Sequence, residues 1–146
     1  MYFFSSLFSL LAIATAVVAQ SANIGAPPDM TQVAAGSSFT VMIERPDSQD
    51  PSTEVAVVIG LLSCASTPCN GPSEDLGSVI LYNGPYNPQF VQQPGEPNLP
   101  PYENFTITVP SSFEKGNAQL GVAHVFLEGL ALTPELETFN TTIVVT

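Results

Sequence analysis

Apolar and polar side chains alternate along much of this chain, and a two-residue period predicts β-strands rather than helices. Every second residue is apolar from Phe39 to Ile43 and from Phe105 to Val109, and between Glu137 and Val145 one face holds Phe139, Thr141, Ile143 and Val145. In such strands one face is buried while the other meets solvent. No stretch has the 3.6-residue period of an amphipathic helix, so the pattern predicts an all-β protein.

Two longer segments are apolar on both faces, which is typical of central strands covered on both sides. They run over Glu54–Ser63 and Ala118–Leu127. A further strand is predicted over Leu76–Tyr82, and a short edge strand, interrupted at Pro27-Pro28, before Ala35. About seven strands separated by Pro and Gly turns predict an immunoglobulin-like antiparallel β-sandwich, although the chain lacks the tryptophan typical of that fold.

The N-terminus has the features of a secretory signal peptide. An apolar run from Leu7 to Val18 precedes small residues, and cleavage after Ala19 would leave a single domain over residues 20–146. The run is shorter than the ~20 residues that a spanning helix needs. We therefore expect a secreted, extracellular protein without stable membrane insertion.

The charge balance is strongly acidic. Arg45 and Lys115 are the two cationic side chains against thirteen acidic ones, and the net charge is −11. Nucleic acid is excluded as a partner, because phosphate binding requires clustered lysine and arginine. The charge favours solubility and would attract a basic partner surface.

Cys64 and Cys69 lie five positions apart behind the predicted signal peptide, which predicts a local disulfide that closes a turn. A loop this short limits the stabilisation to about 2 kcal/mol. Two cysteines and one distant histidine do not make a four-ligand zinc site. We expect neither a metal nor another cofactor.

Two Asn-X-Thr sequons lie in predicted strands, at Asn104 and Asn140. Each asparagine falls on the polar face of its alternating strand, from which a glycan could project. The sequence therefore predicts two N-glycosylation sites.

His124 is the single histidine, and it shares its strand face with apolar residues such as Val122 and Phe126. That position favours a structural role over a catalytic one. The chain also lacks a Gly-X-Ser-X-Gly nucleophile turn. We expect no enzymatic activity from His124.

Acidic residues offer two weaker candidates. Glu74 and Asp75 are adjacent, and neighbouring side chains on an extended chain point apart, which does not suit paired acid–base catalysis. Asp47, Asp50 and Glu54 could surround a calcium ion, but their spacing matches no compact calcium loop. A solvated loop explains these residues equally well.

A loop rich in proline runs from Asn83 to Pro101 and carries or adjoins four aromatic residues. Long loops in compact domains are often functional. The rings could form a flat, pre-ordered surface that binds a peptide or glycan, or they could fold back over the open end of the sandwich. The four candidate binding residues are Tyr82, Tyr86, Phe90 and Tyr102.

Several segments together resemble, in order and spacing, the fungal necrosis-inducing secreted protein family. The resemblance covers most of the mature chain. The segments are Gly36–Val41, Glu54–Gly60, Leu76–Gly77 with Leu81–Gly84, Asn104–Pro110 and Asn140–Val145.

This resemblance implies a small non-enzymatic effector that binds plant immune receptor-associated kinases and suppresses immunity or induces necrosis. Binding a cytoplasmic kinase domain would require translocation into host cells, where reducing conditions would tend to open the disulfide. One alternative is an extracellular glycan- or cell-wall-binding module that uses residues 82–102. Another is a structural wall protein without a specific ligand.

Overall fold

The computed structural model describes residues 22–47, 51–92, 94–95 and 98–146, so the predicted signal peptide and Asp50 lie outside the described residues. Within these ranges the chain forms eight β-strands and no helix, and therefore no helix that could cross a membrane. The all-β prediction is confirmed. The strands are β1 (Asn23–Ala26), β2 (Thr31–Val33), β3 (Ser38–Glu44), β4 (Ser52–Ser63), β5 (Val79–Pro85), β6 (Tyr102–Thr108), β7 (Gly116–Glu128) and β8 (Thr133–Val145).

The strands form two sheets, which confirms the predicted sandwich. One sheet has the order β1-β3-β6 and the other β2-β8-β7-β4-β5. Apolar residues from alternate positions of both sheets fill the space between them, because burial of these side chains is the main stabilising term of the fold. The fully buried members include Val41, Ile43, Val57, Ile59, Leu61, Leu120 and Val122.

The predicted N-terminal edge strand is two strands that belong to different sheets. Pro27 and Pro28 lack backbone donors and separate β1, which pairs with β3, from β2. Strand β2 pairs with β8 in parallel, with Thr31 opposite Ile143, whereas the other strand pairs are antiparallel. The observed sandwich thus has one more strand than predicted and one parallel pair.

Strand β5 begins later than predicted, at Val79, because residues 64–78 fold over the outer face of the five-stranded sheet. We use "outer face" for the side that points away from the three-stranded sheet. Gly60 and Gly121 are cross-strand neighbours there, and Leu76 packs so closely over both that a β-carbon at either position would be crowded. The amide of Gln119 donates to the backbone oxygen of Asp75 at 3.0 Å and fixes the same segment.

Candidate functional site

A cluster of charged side chains occupies one end of the core between the two sheets. Arg45 directly follows β3, and alternation places its side chain on the same core-facing side as Val41 and Ile43. Glu137 in β8 shares the core-facing side with buried Phe139 and lies opposite His124 of β7. Alternation along two strands therefore brings an arginine, a glutamate and a histidine to the core side.

Glu54 joins them because β4 contains a β-bulge. Glu54 lies opposite Phe126 and Ala56 lies opposite Val125, so Val55 is an extra residue without a partner. A bulge changes which face the following residues occupy. In a regular strand Glu54 would share the outer face with Ala56, but here it points inward with Val57.

His124 is fully buried and lies between two carboxylates. Its Nε2 is 2.5 Å from Oε2 of Glu54, and its Nδ1 is 2.8 Å from Oε1 of Glu137. An ionised carboxylate can only accept, so a ring with two such partners donates from both nitrogens as an imidazolium. Burial alone would lower the pKa of His124, but the hydrogen bonds to Glu137 and Glu54 outweigh burial and raise it.

Arg45 completes a network of two cations and two anions. Its Nε donates to Oε1 of Glu54 at 2.8 Å, and its Nη2 donates to Oγ of Ser52 at 2.9 Å. The guanidinium also lies 5.3 Å from the centre of the Phe126 ring, within the range of a cation–π contact. Burial would raise the pKa of Glu54, but hydrogen bonds from His124 and Arg45 outweigh it and the pKa is lowered.

Tyr86 closes the cluster from the side of the proline-rich loop. Its hydroxyl donates to the backbone oxygen of Ile43 at 3.1 Å, and its ring meets the His124 ring edge-on, with centroids 5.2 Å apart. Burial and the nearby charge of Glu54 raise the pKa of Tyr86. The phenol therefore stays neutral and serves as a donor that joins the loop to the three-stranded sheet.

A shallow depression of about 320 Å³ adjoins the cluster beside Arg45 and Glu54. Four prolines contribute to its lining: Pro46, Pro51, Pro88 and Pro101. His124 does not line this depression, and its ring has no accessible surface. The arrangement can keep His124 protonated and can link the two sheets through the Arg45–Glu54 ion pair, but the imidazole is not accessible to a substrate.

The four aromatic candidates do not form one exposed platform. Tyr82 is half-buried, its ring 4.6 Å from that of Phe105, and its hydroxyl donates to the backbone oxygen of Pro85 at 2.7 Å. Tyr86 is buried, and the backbone of Tyr102 pairs with that of Gln89. Phe90 is 58% exposed. The interpretation in which rings cover the end of the sandwich fits Tyr82 and Tyr86.

The disulfide is formed between Cys64 and Cys69 as predicted, and its loop walls a groove of about 500 Å³ on the outer face. Asn140 lies at this groove, and both Asn104 and Asn140 are exposed on the faces that the alternation predicted. Their glycosylation stays a prediction. The remaining acidic candidates Asp47, Glu74 and Asp75 are exposed.

Glu54, one of the three residues considered for calcium, is held by other partners. Its two carboxylate oxygens already bind Arg45 and His124. Across the described part of the chain, no three His, Cys, Asp or Glu residues gather in a way that could hold a metal ion.

Comparison with known proteins gives one family and a distant fold likeness. The sequence profile of the Nis1 family matches residues 17–144. None of the curated proteins matches the chain. A solved superoxide reductase (neelaredoxin) from Ignicoccus hospitalis has a TM-score of 0.44 and 11% identity over 85% of this chain and 80% of that one. A second structure under that enzyme's name gives 0.43 and 11% over 84% and 79%. Values this low carry no inference about chemistry.

Proposed function

The chain belongs to the Nis1 family, the necrosis-inducing effector-type family, and on this premise we propose that it is a secreted effector that acts by binding host proteins. The partner class is plant immune receptor-associated kinases, and the outcome is suppressed immunity or induced necrosis. The observation that carries this proposal is the family match, which spans residues 17–144 and hence nearly the whole domain.

The geometry of the core supports a binding protein over an enzyme. A general base must come within hydrogen-bond reach of a substrate proton. His124 is fully buried, and both of its nitrogens already contact carboxylates. Glu54 is likewise held by Arg45 and His124. These charged groups stabilise the sandwich and leave function to the surface.

The alternative, a glycan-binding module with an aromatic platform, has no comparable support. Stacking on a sugar requires an accessible ring face. Tyr86 is only 2% exposed, and Tyr82 packs on Phe105. Phe90 alone among the four candidates is mostly exposed, so we do not propose this function.

A pull-down tests the proposal directly. Protein comprising residues 20–146 would be immobilised and exposed to purified kinase domains of plant immune receptor-associated kinases. We expect retention that persists above about 0.15 M salt, where simple attraction between an acidic protein and a basic surface is screened. Retention that disappears at this salt concentration, or that is equal for an unrelated acidic protein, would contradict the proposal.

A further inference from the structure

The described residues cover the outer face of the five-stranded sheet over only half of its length. Residues 64–78 cover the half around Gly60 and Gly121, where Leu76 packs. The other half extends toward the β7–β8 turn. There Ala56, Val125 and Leu136 are direct cross-strand neighbours on β4, β7 and β8.

The uncovered half is aliphatic. Val55 is 44% exposed and Leu136 is 67% exposed, and the outward-facing residues beside them are only half-buried. A contiguous apolar patch on a soluble protein usually marks an interaction site. We call this set the aliphatic face: Val55, Ala56, Val58, Val125, Leu127 and Leu136.

The turn that joins β7 to β8 lies at the end of this face and also carries exposed leucines. Leu130 is 98% exposed and Leu132 is 54% exposed. Leu132 also has a φ of 54°, in the left-handed region that a bulky side chain rarely adopts because the conformation is strained. Glycine or asparagine would be more stable there, so folding stability does not explain this leucine.

The charges beside the turn decide what kind of partner fits this surface. Glu128 and Glu135 are exposed on either side of the turn, and register places them on the face of the β7–β8 hairpin opposite to Val125 and Leu136. They therefore flank the turn and not the aliphatic face itself. The sequence has two cationic side chains, of which Arg45 is buried and Lys115 precedes β7, at the opposite end of that strand from the turn. A second copy of the chain would bring another net charge of −11 against these carboxylates and would be repelled.

We propose that the aliphatic face and the Leu130–Leu132 turn are the surface on which this protein docks its partner. The partner is a protein that presents an aliphatic patch with basic residues beside it. This inference rests on the proposed function, since it assigns to one surface the host-protein binding suggested there. Apolar residues of the face and the turn supply the affinity, and the carboxylates that flank the turn favour a basic partner and speed its association.

The chain offers a closely matched pair of variants. Met30 resembles Leu132 in being 51% exposed with a φ of 64°, but it precedes β2, away from the aliphatic face. Asparagine tolerates this backbone conformation, so Leu132→Asn and Met30→Asn should both keep the fold and not lower the melting temperature. Leu136→Thr removes apolar surface from the face while keeping a residue that favours strands.

Binding of a kinase domain would be titrated with each variant, produced in a host that adds no N-glycan. We expect Leu132→Asn and Leu136→Thr to weaken the affinity by about tenfold or more, and Met30→Asn to leave it unchanged. If the wild type binds and the face variants bind equally well, the docking surface is wrong while the proposed function stands.

If no kinase domain binds, the proposed partner class is wrong. A second measurement then tests the docking surface independently. The probe is agarose that carries hexylammonium groups, compared with agarose that carries ammonium groups alone. We expect the wild type and Met30→Asn to be retained longer on the hexyl resin than Leu132→Asn and Leu136→Thr. Identical elution of all four proteins would overturn the proposal.

Discussion

His124 is a cation held inside the core by Glu54 and Glu137. Its pKa is raised in the folded protein, so the folded state binds this proton more tightly than the unfolded chain does. The resulting stabilisation is full below the unfolded pKa of about 6.5 and is lost as the pH rises through the higher folded pKa. His124 is the single histidine, so a stability change in this window can be assigned to it.

We predict that the free energy of unfolding falls as the pH rises above about 6.5, with a slope that approaches about 1.4 kcal/mol per pH unit where only the folded state keeps the proton. Urea titrations at several pH values would measure it. His124→Gln should abolish the decline. A wild-type stability that is flat or rises over this range would contradict the assignment of a charged His124.

Removal of one charge from the cluster should be strongly destabilising. Glu137→Gln leaves the His124 cation with one carboxylate partner in the core, and breaking a buried ion pair costs about 3 kcal/mol or more. Glu135→Gln, two residues earlier and exposed, is the matched control and should change stability by less than about 0.5 kcal/mol. Equal effects of the two variants in urea denaturation would show that the cluster does not stabilise the fold.

Among the strands, β4 shows best how register controls the cluster. The extra residue Val55 turns Glu54 from the outer face to the core, where it bonds Arg45 and His124. Arg45 comes from the end of β3, so this bulge contributes an electrostatic link between the two sheets.

Deletion of Val55 should therefore destabilise the protein far more than its exposure suggests. A strand without the bulge would point Glu54 outward and leave Arg45 and His124 short of a carboxylate, with an expected loss of about 3 kcal/mol or more. Val55→Ala keeps the bulge and should cost about 1 kcal/mol or less. Thermal melts of the two variants give the comparison, and similar melting temperatures would refute the role of the bulge.

The alternation of apolar and polar residues correctly predicted strands such as β3 and β6. It placed Phe105, Ile107 and Val109 on a buried face and His124 among core residues, as observed. It could not predict that Glu54 points inward, because the bulge at Val55 changes which face Glu54 occupies and no glycine or proline in the sequence marks the bulge. The inward phase of Arg45 and Glu137 was visible in the alternation, but their partners depend on long-range register.

The proline-rich region and β5 show a second limit of local patterns. The sequence around Tyr82 and Tyr86 does not show whether their rings point outward or inward. Packing of Tyr82 on Phe105 and of Tyr86 on His124 determines the orientation. Leu76 and Gly77 resemble the start of a strand, but close packing on Gly60 and Leu61 takes them out of the sheet.

For the whole molecule, the disulfide is a local addition to a core that folds around other contacts. Cys64 and Cys69 close a short surface loop, while the buried residues lie between the sheets. We predict that replacing both cysteines by serine lowers the free energy of unfolding by about 2 kcal/mol and keeps the β-sheet circular dichroism spectrum. Loss of that spectrum would mean that the protein needs oxidising conditions to fold, and this would argue against action inside a host cell.

The acidic charge, the uncovered aliphatic face and the family membership are the observations behind our proposal that this protein acts by docking on a host protein. The most direct test is an NMR titration of ¹⁵N-labelled protein, residues 20–146, with an immune receptor-associated kinase domain at about 0.15 M salt. We predict amide shift changes on the outer face of β4, β7 and β8 around Val125 and Leu136, and in the turn at Leu132. Saturating kinase domain without any shift change, or changes confined to residues 86–92 of the proline-rich loop, would contradict this account.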